Sequence, residues 1–182
     1  MELPGGHEFV VKPASGAGAR FAARYTPDEH DTAVRHVRRL HDDGFTAMVQ
    51  PYVRAIDSGG ERALQFFGGT LLHASRKGPV LAPGTPYDQR KTAHPGLTDW
   101  TPTADELALS QAALAAVPGA PELLYARVDL VDGDDGRPRV MELELVEPNL
   151  FLWLHPESLP VVVERITEAA GRRRPSAGAA PR

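Results

Sequence analysis

The sequence predicts an α+β fold in which a mostly antiparallel β-sheet is flanked by helices. Short apolar stretches separated by Gly-Gly or Asp-Gly pairs are typical of antiparallel hairpins. Two longer segments, beginning near Asp28 and at Thr103, have helix-start residues or apolar residues at helical spacing. The length of 182 residues suffices for a substantial core.

The first part of the chain is predicted to contain three strands and one helix. The predicted strands are Glu8–Lys12, Ala19–Tyr25 and Phe45–Val53, and the helix runs from Asp28 to about Leu40. The third strand contains Pro51, which has no N–H for a central position in a sheet, so the chain should leave the sheet there.

The middle of the chain combines a hairpin with a long loop. The strands Glu61–Phe67 and Thr70–Arg76 flank the tight turn Gly68-Gly69. The segment from Lys77 to Pro102 is rich in Pro, Gly, Thr and Asp and lacks periodicity. Loops of that length in a compact domain are usually functional or disordered.

Helices are predicted on both sides of a second hairpin. Thr103 and Glu106 form a capping-box pattern for a helix to about Val117. After an aromatic-rich bend at Pro148–His155, a helix is predicted from Glu157 to about Ala170. Residues 1–170 are therefore treated as one domain and residues 171–182 as a disordered tail.

Composition excludes several classes of protein. A net charge of −4 argues against nucleic acid as a partner, because phosphate-backbone binding needs a basic stripe. Without cysteine there is no disulfide framework, thiolate metal site or cysteine nucleophile. No signal pattern and no apolar run of membrane-spanning length occurs, so we expect a cytoplasmic protein without a membrane partner.

The second hairpin, Tyr125–Val131 and Arg139–Leu145, gathers charged residues on one face. If Asp135-Gly136 forms a two-residue type I′ turn, Asp129 lies opposite Glu142 and Arg127 opposite Glu144. Side chains alternate along a strand, so all four share a face. The other face is apolar and predicted to be core: Val128, Leu130, Met141, Leu143 and Leu145.

Two interpretations of the charged face remain open. It is either a solvated surface with an Arg127–Glu144 pair, worth a fraction of a kcal/mol, or a metal site. In the predicted register Asp129 and Glu142 oppose each other with no base between them, and a divalent cation would remove that repulsion. Oxygen ligands at this spacing suit Mg²⁺, and an arginine beside the ion would face phosphate oxygens.

A lysine followed by a loop of small residues is a possible phosphate site. Lys12 ends the first strand and precedes Ser15-Gly16-Ala17-Gly18, whose N–H groups can cradle oxygens, although such loops are also common connectors. Glu61 is either a ribose ligand or a surface carboxylate. Lys77 either meets phosphoryl or carboxylate oxygens or is solvated. His73 is interpreted as a satisfied core histidine.

Taken in order, these segments resemble the ATP-grasp ligases, in particular the prokaryotic glutathione synthetase-like branch that includes cycloserine-pathway cyclo-ligases. The matching stretches are Phe9–Pro13 with its loop, Val49–Val53, Gly60-Glu61, Phe67–Gly69, His73–Lys77, Tyr125–Asp129 and Glu142–Pro148.

The resemblance implies ATP and Mg²⁺ as cofactors and a role for each candidate residue. Lys12 would bind phosphates under a flap containing Ser15, Gly16 and Gly18; Gln50, Pro51, Tyr52 and Val53 would receive adenine, and Glu61 the ribose. Asp129, Glu142 and Glu144 would bind the metal, while Arg127 and Lys77 would act on the phosphoryl and acyl groups. Glu144 occupies a position where Asn is frequent in the family.

The implied activity is ATP-dependent ligation of a carboxylate to an amine through an acyl phosphate. Residues 1–170 correspond to a partial, C-terminal ATP-grasp domain that lacks the N-terminal substrate domain. Three interpretations stay open: the chain is a truncated or mis-started product, a partner or a second copy supplies the missing half, or the chain is a degenerate relative that no longer turns over. The alternative is a catalytically incomplete nucleotide-binding or subunit-interaction module. A magnesium phosphodiesterase would account for the carboxylates but not for the lysine loop or the segment at Gln50.

Overall fold

A computed structural model describes residues 6–87, 96–118, 123–133 and 135–172. Contacts divide the chain into two compact units, which are described separately. The first comprises Met1–Glu61, Lys77–Leu97 and Asp132–Arg137, and the second comprises Arg62–Arg76, Thr98–Val131 and Pro138–Arg182. Within the described residues, no helix has both the length and the apolar character that crossing a membrane requires.

The first unit contains a three-stranded antiparallel sheet and two helices. Its strands are β1 (Phe9–Pro13), β2 (Ala23–Tyr25) and β3 (Ala47–Pro51), in the order β2-β1-β3, and its helices are α1 (His30–Asp42) and α2 (Ile56–Gly59). Helix α1 buries Ala33, Val37 and Leu40, which lie on one helical face, against Phe9 and Val11 of β1.

The predicted elements of this unit are found with two differences. Strand β3 ends at Pro51, as predicted. Strand β2 begins at Ala23 and not at Ala19, because Ala19 and Phe21 have φ of 55° and 58°, outside the extended region. The short helix α2 was not predicted.

The second unit is built on a sheet with the order β6-β5-β4-β7-β8. Its strands are β4 (Glu61–Phe67), β5 (Thr70–Lys77), β6 (Thr98–Asp99), β7 (Tyr125–Asp132) and β8 (Pro138–Glu144). Gly68 and Gly69 have φ of 57° and 78° and form the predicted tight turn, where both residues need a positive φ. The core cluster includes Leu64, Phe66, Ala74, Ala126, Val128 and Leu130.

The hairpin of β7 and β8 differs from prediction in its turn. The Gly133 N–H donates to the Arg137 carbonyl at 2.8 Å, and the Gly136 N–H donates to the Gly133 carbonyl at 2.9 Å. The prediction of a two-residue turn is therefore wrong. Gly133 and Arg137 close the turn, and one more residue lies between them than the prediction allowed. An Asp-Gly pair fits this longer turn as well, since Gly136 supplies a φ of 72° there. Leu143, predicted to be core, is 36% exposed because β8 is an edge strand.

Two helices complete the second unit: α3 (Ala104–Ala115) and α4 (Leu159–Arg172). The predicted capping box is confirmed, because the Glu106 N–H donates to Thr103 Oγ1 and the Thr103 N–H donates to Glu106. Helix α4 extends two residues into the predicted tail. The rest of that tail, residues 173–182, and residues 88–95 of the predicted long loop lie outside the described residues.

Glu106 joins α3 to the sheet through a buried ion pair. Its Oε1 accepts from Arg62 Nε at 2.8 Å, and its Oε2 accepts from the Thr103 N–H at 2.8 Å and from Trp100 Nε1 at 3.1 Å. Burial raises the pKa of Glu106, but the hydrogen bonds from Thr103, Trp100 and Arg62 outweigh it and lower the pKa below the ordinary 4.5.

We expect Glu106 to contribute to acid unfolding. A carboxylate with a lowered pKa in the folded state stabilises the fold above its unfolded pKa, and this contribution disappears as the pH falls below about 4.5. Glu106→Gln should lower the free energy of unfolding near neutral pH and flatten its decline in acid, as measured by urea unfolding across pH. The exposed Glu164→Gln is the control; equal pH profiles for wild type and Glu106→Gln would contradict the prediction.

Candidate functional site

The charged face of the β7 and β8 hairpin is organised around Arg127. Arg127 and Asp129 are 3% and 0% exposed. Arg127 Nε donates to Asp129 Oδ1 at 2.8 Å and Nη2 donates to Oδ2 at 2.8 Å, so the guanidinium binds the carboxylate with both arms. This pairing is possible because residues two apart on a strand point to the same side.

Strand β8 adds two further carboxylates. Arg127 Nη2 also donates to Glu144, and Nη1 donates to the Asn149 carbonyl at 3.2 Å. The nearest carboxylate oxygens of Asp129 and Glu142 lie within 4.8 Å of each other. The prediction that the four side chains share a face is confirmed by these contacts.

The sequence analysis paired Arg127 with Glu144 and did not predict its contact with Asp129. Arg127 reaches along its own strand to Asp129 as well as across to Glu144, because its side chain is long enough to serve both. Burial lowers the pKa of Arg127, but hydrogen bonds to Asp129 and the charges of Asp129, Glu144 and Glu142 raise it above its ordinary value. The guanidinium is therefore a permanent cation.

The donor set of this hairpin fits Mg²⁺. Three carboxylates and one guanidinium leave a formal charge of −2, equal and opposite to that of the ion. All donors are oxygens, the ligands that Mg²⁺ prefers. A carboxylate has about four lone-pair sites, and the two hydrogen bonds from Arg127 take two of those on Asp129. Glu142 is exposed and accessible to an ion.

In the first unit, Lys12 lies in β1 opposite Met48 of β3 and is half-buried. The loop that follows is open, because Ser15 and Gly16 are exposed and Gly18 has a φ of 68°. Backbone N–H groups in such a loop are accessible to an anion.

The segment Gln50–Val53 spans the end of β3 and the residues after it. Gln50 and Pro51 pair with Val10 and Phe9 of β1. The Tyr52 N–H donates to the Glu8 carbonyl at 2.9 Å, which holds the chain in place where the strand has ended.

Glu61 and Lys77 form an ion pair with each other. Lys77 is only 5% exposed, so the interpretation as a solvated lysine is wrong. The sequence analysis treated the two residues separately. The predicted hairpin with its turn at Gly68-Gly69 brings the start of β4 beside the end of β5, but it does not show that Lys77 is buried there.

His73 is satisfied by hydrogen bonds, as predicted. Its Nε2 lies 2.7 Å from the Leu150 carbonyl, to which it donates, and its Nδ1 lies 2.8 Å from Ser158 Oγ. Its ring stacks on His155 at 4.0 Å. Burial is the main reason that the pKa of His73 is lowered.

Sequence reasoning missed a group of residues beside Tyr52. Arg24 of β2, Glu8 and Asp57 of α2 surround this side chain with ion pairs and hydrogen bonds. The only available signal was the presence of a charged residue, Arg24, inside an otherwise apolar strand pattern.

Solved structures identify the fold. The structure of D-alanine–D-alanine ligase from Bacillus anthracis complexed with ATP has a TM-score of 0.59 at 21% identity. The match covers 92% of this chain and 53% of the ligase chain. The structure of the ATP-grasp ligase PsnB complexed with a minimal precursor, Mg and ADP has a TM-score of 0.52 at 16% identity, and the match covers 88% of this chain and 46% of PsnB. The chain has the fold of this class of ligases, the ATP-grasp fold.

Within that class, the chain is similar to DcsG. It is 40% identical over 161 residues to the cycloserine biosynthesis protein DcsG of Streptomyces lavendulae. The matched residues are 82% of this chain and 50% of that protein. The crystal structure of D-cycloserine synthetase DcsG has a TM-score of 0.78 at 34% identity and covers 90% of this chain and 56% of its own. No protein-family model matches. The chain thus spans about half the length of these relatives, in agreement with a C-terminal ATP-grasp part.

Proposed function

We propose that this chain is part of an ATP-dependent ligase of the carboxylate–amine type that binds Mg-ATP. The observation that carries the proposal is the Arg127-centred hairpin, with Asp129 buried against the guanidinium and Glu142 close by. The 40% identity to DcsG and the fold shared with ligases that bind ATP, or Mg and ADP, support it.

In this proposal the metal is held by Asp129, Glu142 and Glu144. Bound Mg²⁺ supplies positive charge that neutralises phosphate oxygens during phosphoryl transfer. Arg127 orients Asp129 and Glu144 through its hydrogen bonds and places a permanent cation beside them. A transferring phosphoryl group or the acyl phosphate would be stabilised by that cation.

The remaining residues bind the nucleotide in the same proposal. Lys12 and the exposed loop at Ser15, Gly16 and Gly18 bind phosphate oxygens. The segment from Gln50 through Pro51 and Tyr52 to Val53 receives adenine, and Glu61 binds the ribose. Lys77, which forms an ion pair with Glu61, acts on the phosphoryl and acyl groups.

The chemistry proceeds without a protein general base for phosphoryl transfer. The substrate carboxylate attacks the γ-phosphorus of ATP, ADP leaves, and the resulting acyl phosphate is attacked by an amine. The tetrahedral intermediate collapses with release of phosphate. A cytoplasmic location is part of the same proposal.

A second candidate is a nucleotide-binding or subunit-interaction module without turnover. The observation that favours it is that the chain spans 50% of DcsG, so that residues needed for turnover can lie on a partner or a second copy.

Thermal unfolding tests the nucleotide site. Mg-ATP at about 100 times its Kd should stabilise the chain by about 2.7 kcal/mol through mass action and raise Tm accordingly. ATP with a chelator and Mg²⁺ alone are the controls. No rise in Tm with Mg-ATP would refute the proposed nucleotide binding.

Phosphate release separates the two candidates. A panel of carboxylates and amines should give phosphate release that needs Mg-ATP if the chain acts as a ligase. Binding of Mg-ATP with no release across the panel favours the module. If phosphate release appears only after the part of DcsG that this chain does not match is added, the missing catalytic groups lie on a partner.

A further inference from the structure

The side chain of Tyr52 is enclosed by a cluster that no predicted role explains. Arg24 lies with its guanidinium over the Tyr52 ring at 3.6 Å. Arg24 Nη1 donates to both carboxylate oxygens of Asp57 at 3.0 Å, and the Tyr52 hydroxyl donates to Asp57 Oδ1 at 2.6 Å. Arg24 Nε and Nη2 donate to Glu8 at 3.1 and 2.8 Å.

This cluster is centred on a buried arginine, whereas the carboxylates around it are more open, with Glu8 15% and Asp57 45% exposed. Arg24 is only 6% exposed, and its planar fork holds one carboxylate at each side. Arg54 lies 3.3 Å from Glu8, so two bases and two acids balance in charge. Hydrogen bonds from Arg24 are the main reason that the pKa of Glu8 lies below its ordinary range.

Each member of the cluster comes from a different segment around the end of β3. Glu8 precedes β1, Arg24 is in the middle of β2, and Asp57 is in α2. Tyr52 follows the last residue of β3, and its N–H is bound to the Glu8 carbonyl at 2.9 Å. The cluster therefore clamps both the side chain and the backbone of Tyr52.

Because it is held in this way, the Tyr52 side chain has few remaining orientations in which it could contact a nucleobase. One face of its ring carries Arg24, and its hydroxyl is bonded to Asp57, where burial and that hydrogen bond raise its pKa. The segment around Tyr52 is consequently held in one conformation, which lowers the entropy lost when a ligand binds to its backbone groups.

We propose that Arg24 is a positioning residue that, with Glu8 and Asp57, holds Gln50–Val53 in the conformation that receives adenine. This inference rests on the proposed function, since it concerns how the same nucleotide is recognised. Discrimination between adenine and other nucleobases depends on this cluster, because only a fixed backbone presents its hydrogen-bond donors and acceptors in a constant pattern.

The test compares Mg-ATP with Mg-GTP by isothermal titration calorimetry. Arg24→Lys keeps the charge but loses the fork that binds Glu8 and Asp57 together. It should raise the Kd for Mg-ATP about tenfold and change that for Mg-GTP less than about twofold, so that base discrimination falls. Arg39→Lys, which alters an exposed arginine bonded to Asp43 at 2.9 Å, is the matched control and should change neither.

The outcomes distinguish this inference from the proposed function. If wild type binds no Mg-ATP, both fail. If wild type binds Mg-ATP but does not prefer it to Mg-GTP, or if Arg24→Lys weakens both nucleotides equally, only the positioning role fails. If Arg24→Lys does not fold, Asp57→Asn replaces it, because this change weakens the contacts of Asp57 with both Arg24 and Tyr52. An unchanged preference of this variant for ATP overturns the role.

Discussion

Replacement of Arg127 by methionine is expected to lower the free energy of unfolding by about 3–5 kcal/mol. The substitution leaves Asp129, which is 0% exposed, without the two hydrogen bonds at 2.8 Å that hold its carboxylate. The loss of charge-assisted hydrogen bonds that far from water is costly, and this accounts for the size of the effect. Urea unfolding monitored by circular dichroism measures it.

Two further variants make this prediction specific. Arg137→Met alters an exposed arginine in the turn of the same hairpin and should change stability by less than about 0.5 kcal/mol. Arg127→Met combined with Asp129→Leu removes both charges, so much of the lost stability should return. A similar loss in Arg127→Met and Arg137→Met would show that the buried pair does not stabilise the hairpin.

The second large effect is expected at Glu142. Glu142→Gln should weaken Mg-ATP binding by about 30- to 150-fold, in line with the 2–3 kcal/mol typical of a lost charged contact. The fold should be unaffected, because Glu142 is exposed. Titration calorimetry with Mg-ATP, and with ATP in the presence of a chelator, measures the magnesium-dependent part.

A matched carboxylate separates metal binding from general charge effects. Glu164→Gln on α4 removes the same formal charge from an exposed position and should leave Mg-ATP affinity unchanged. Asp129→Asn combined with Glu142→Gln should abolish the magnesium dependence. If Glu142→Gln and wild type respond equally to Mg²⁺, Glu142 is not a metal ligand.

The stretch from Tyr125 to Leu145 shows how far local pattern reaches. Alternation along each strand was sufficient to place Arg127 and Asp129 on one face with Glu142 and Glu144, although the turn was one residue longer than predicted. Alternation could not tell which carboxylate Arg127 binds, because a long flexible side chain reaches several neighbours and their burial decides among them.

Pairs between distant segments were out of reach for the same reason. The Arg24 cluster joins residues 8, 24, 52 and 57, of which Asp57 lies in a four-residue helix too short for periodicity to reveal. By contrast, the Glu61–Lys77 ion pair joins the start of β4 to the end of β5, which the predicted hairpin already brings together, and only the burial of Lys77 was out of reach.

The sequence by itself determined the α+β class, the strands and helices that carry the candidate residues, and the resemblance to ATP-grasp ligases. These depend on side-chain periodicity, turn chemistry and capping, which act between residues close in the chain. Only the tertiary structure decided which charges are buried and how they pair. Burial removes the competition from water that makes an exposed ion pair weak, and it depends on segments far apart in sequence.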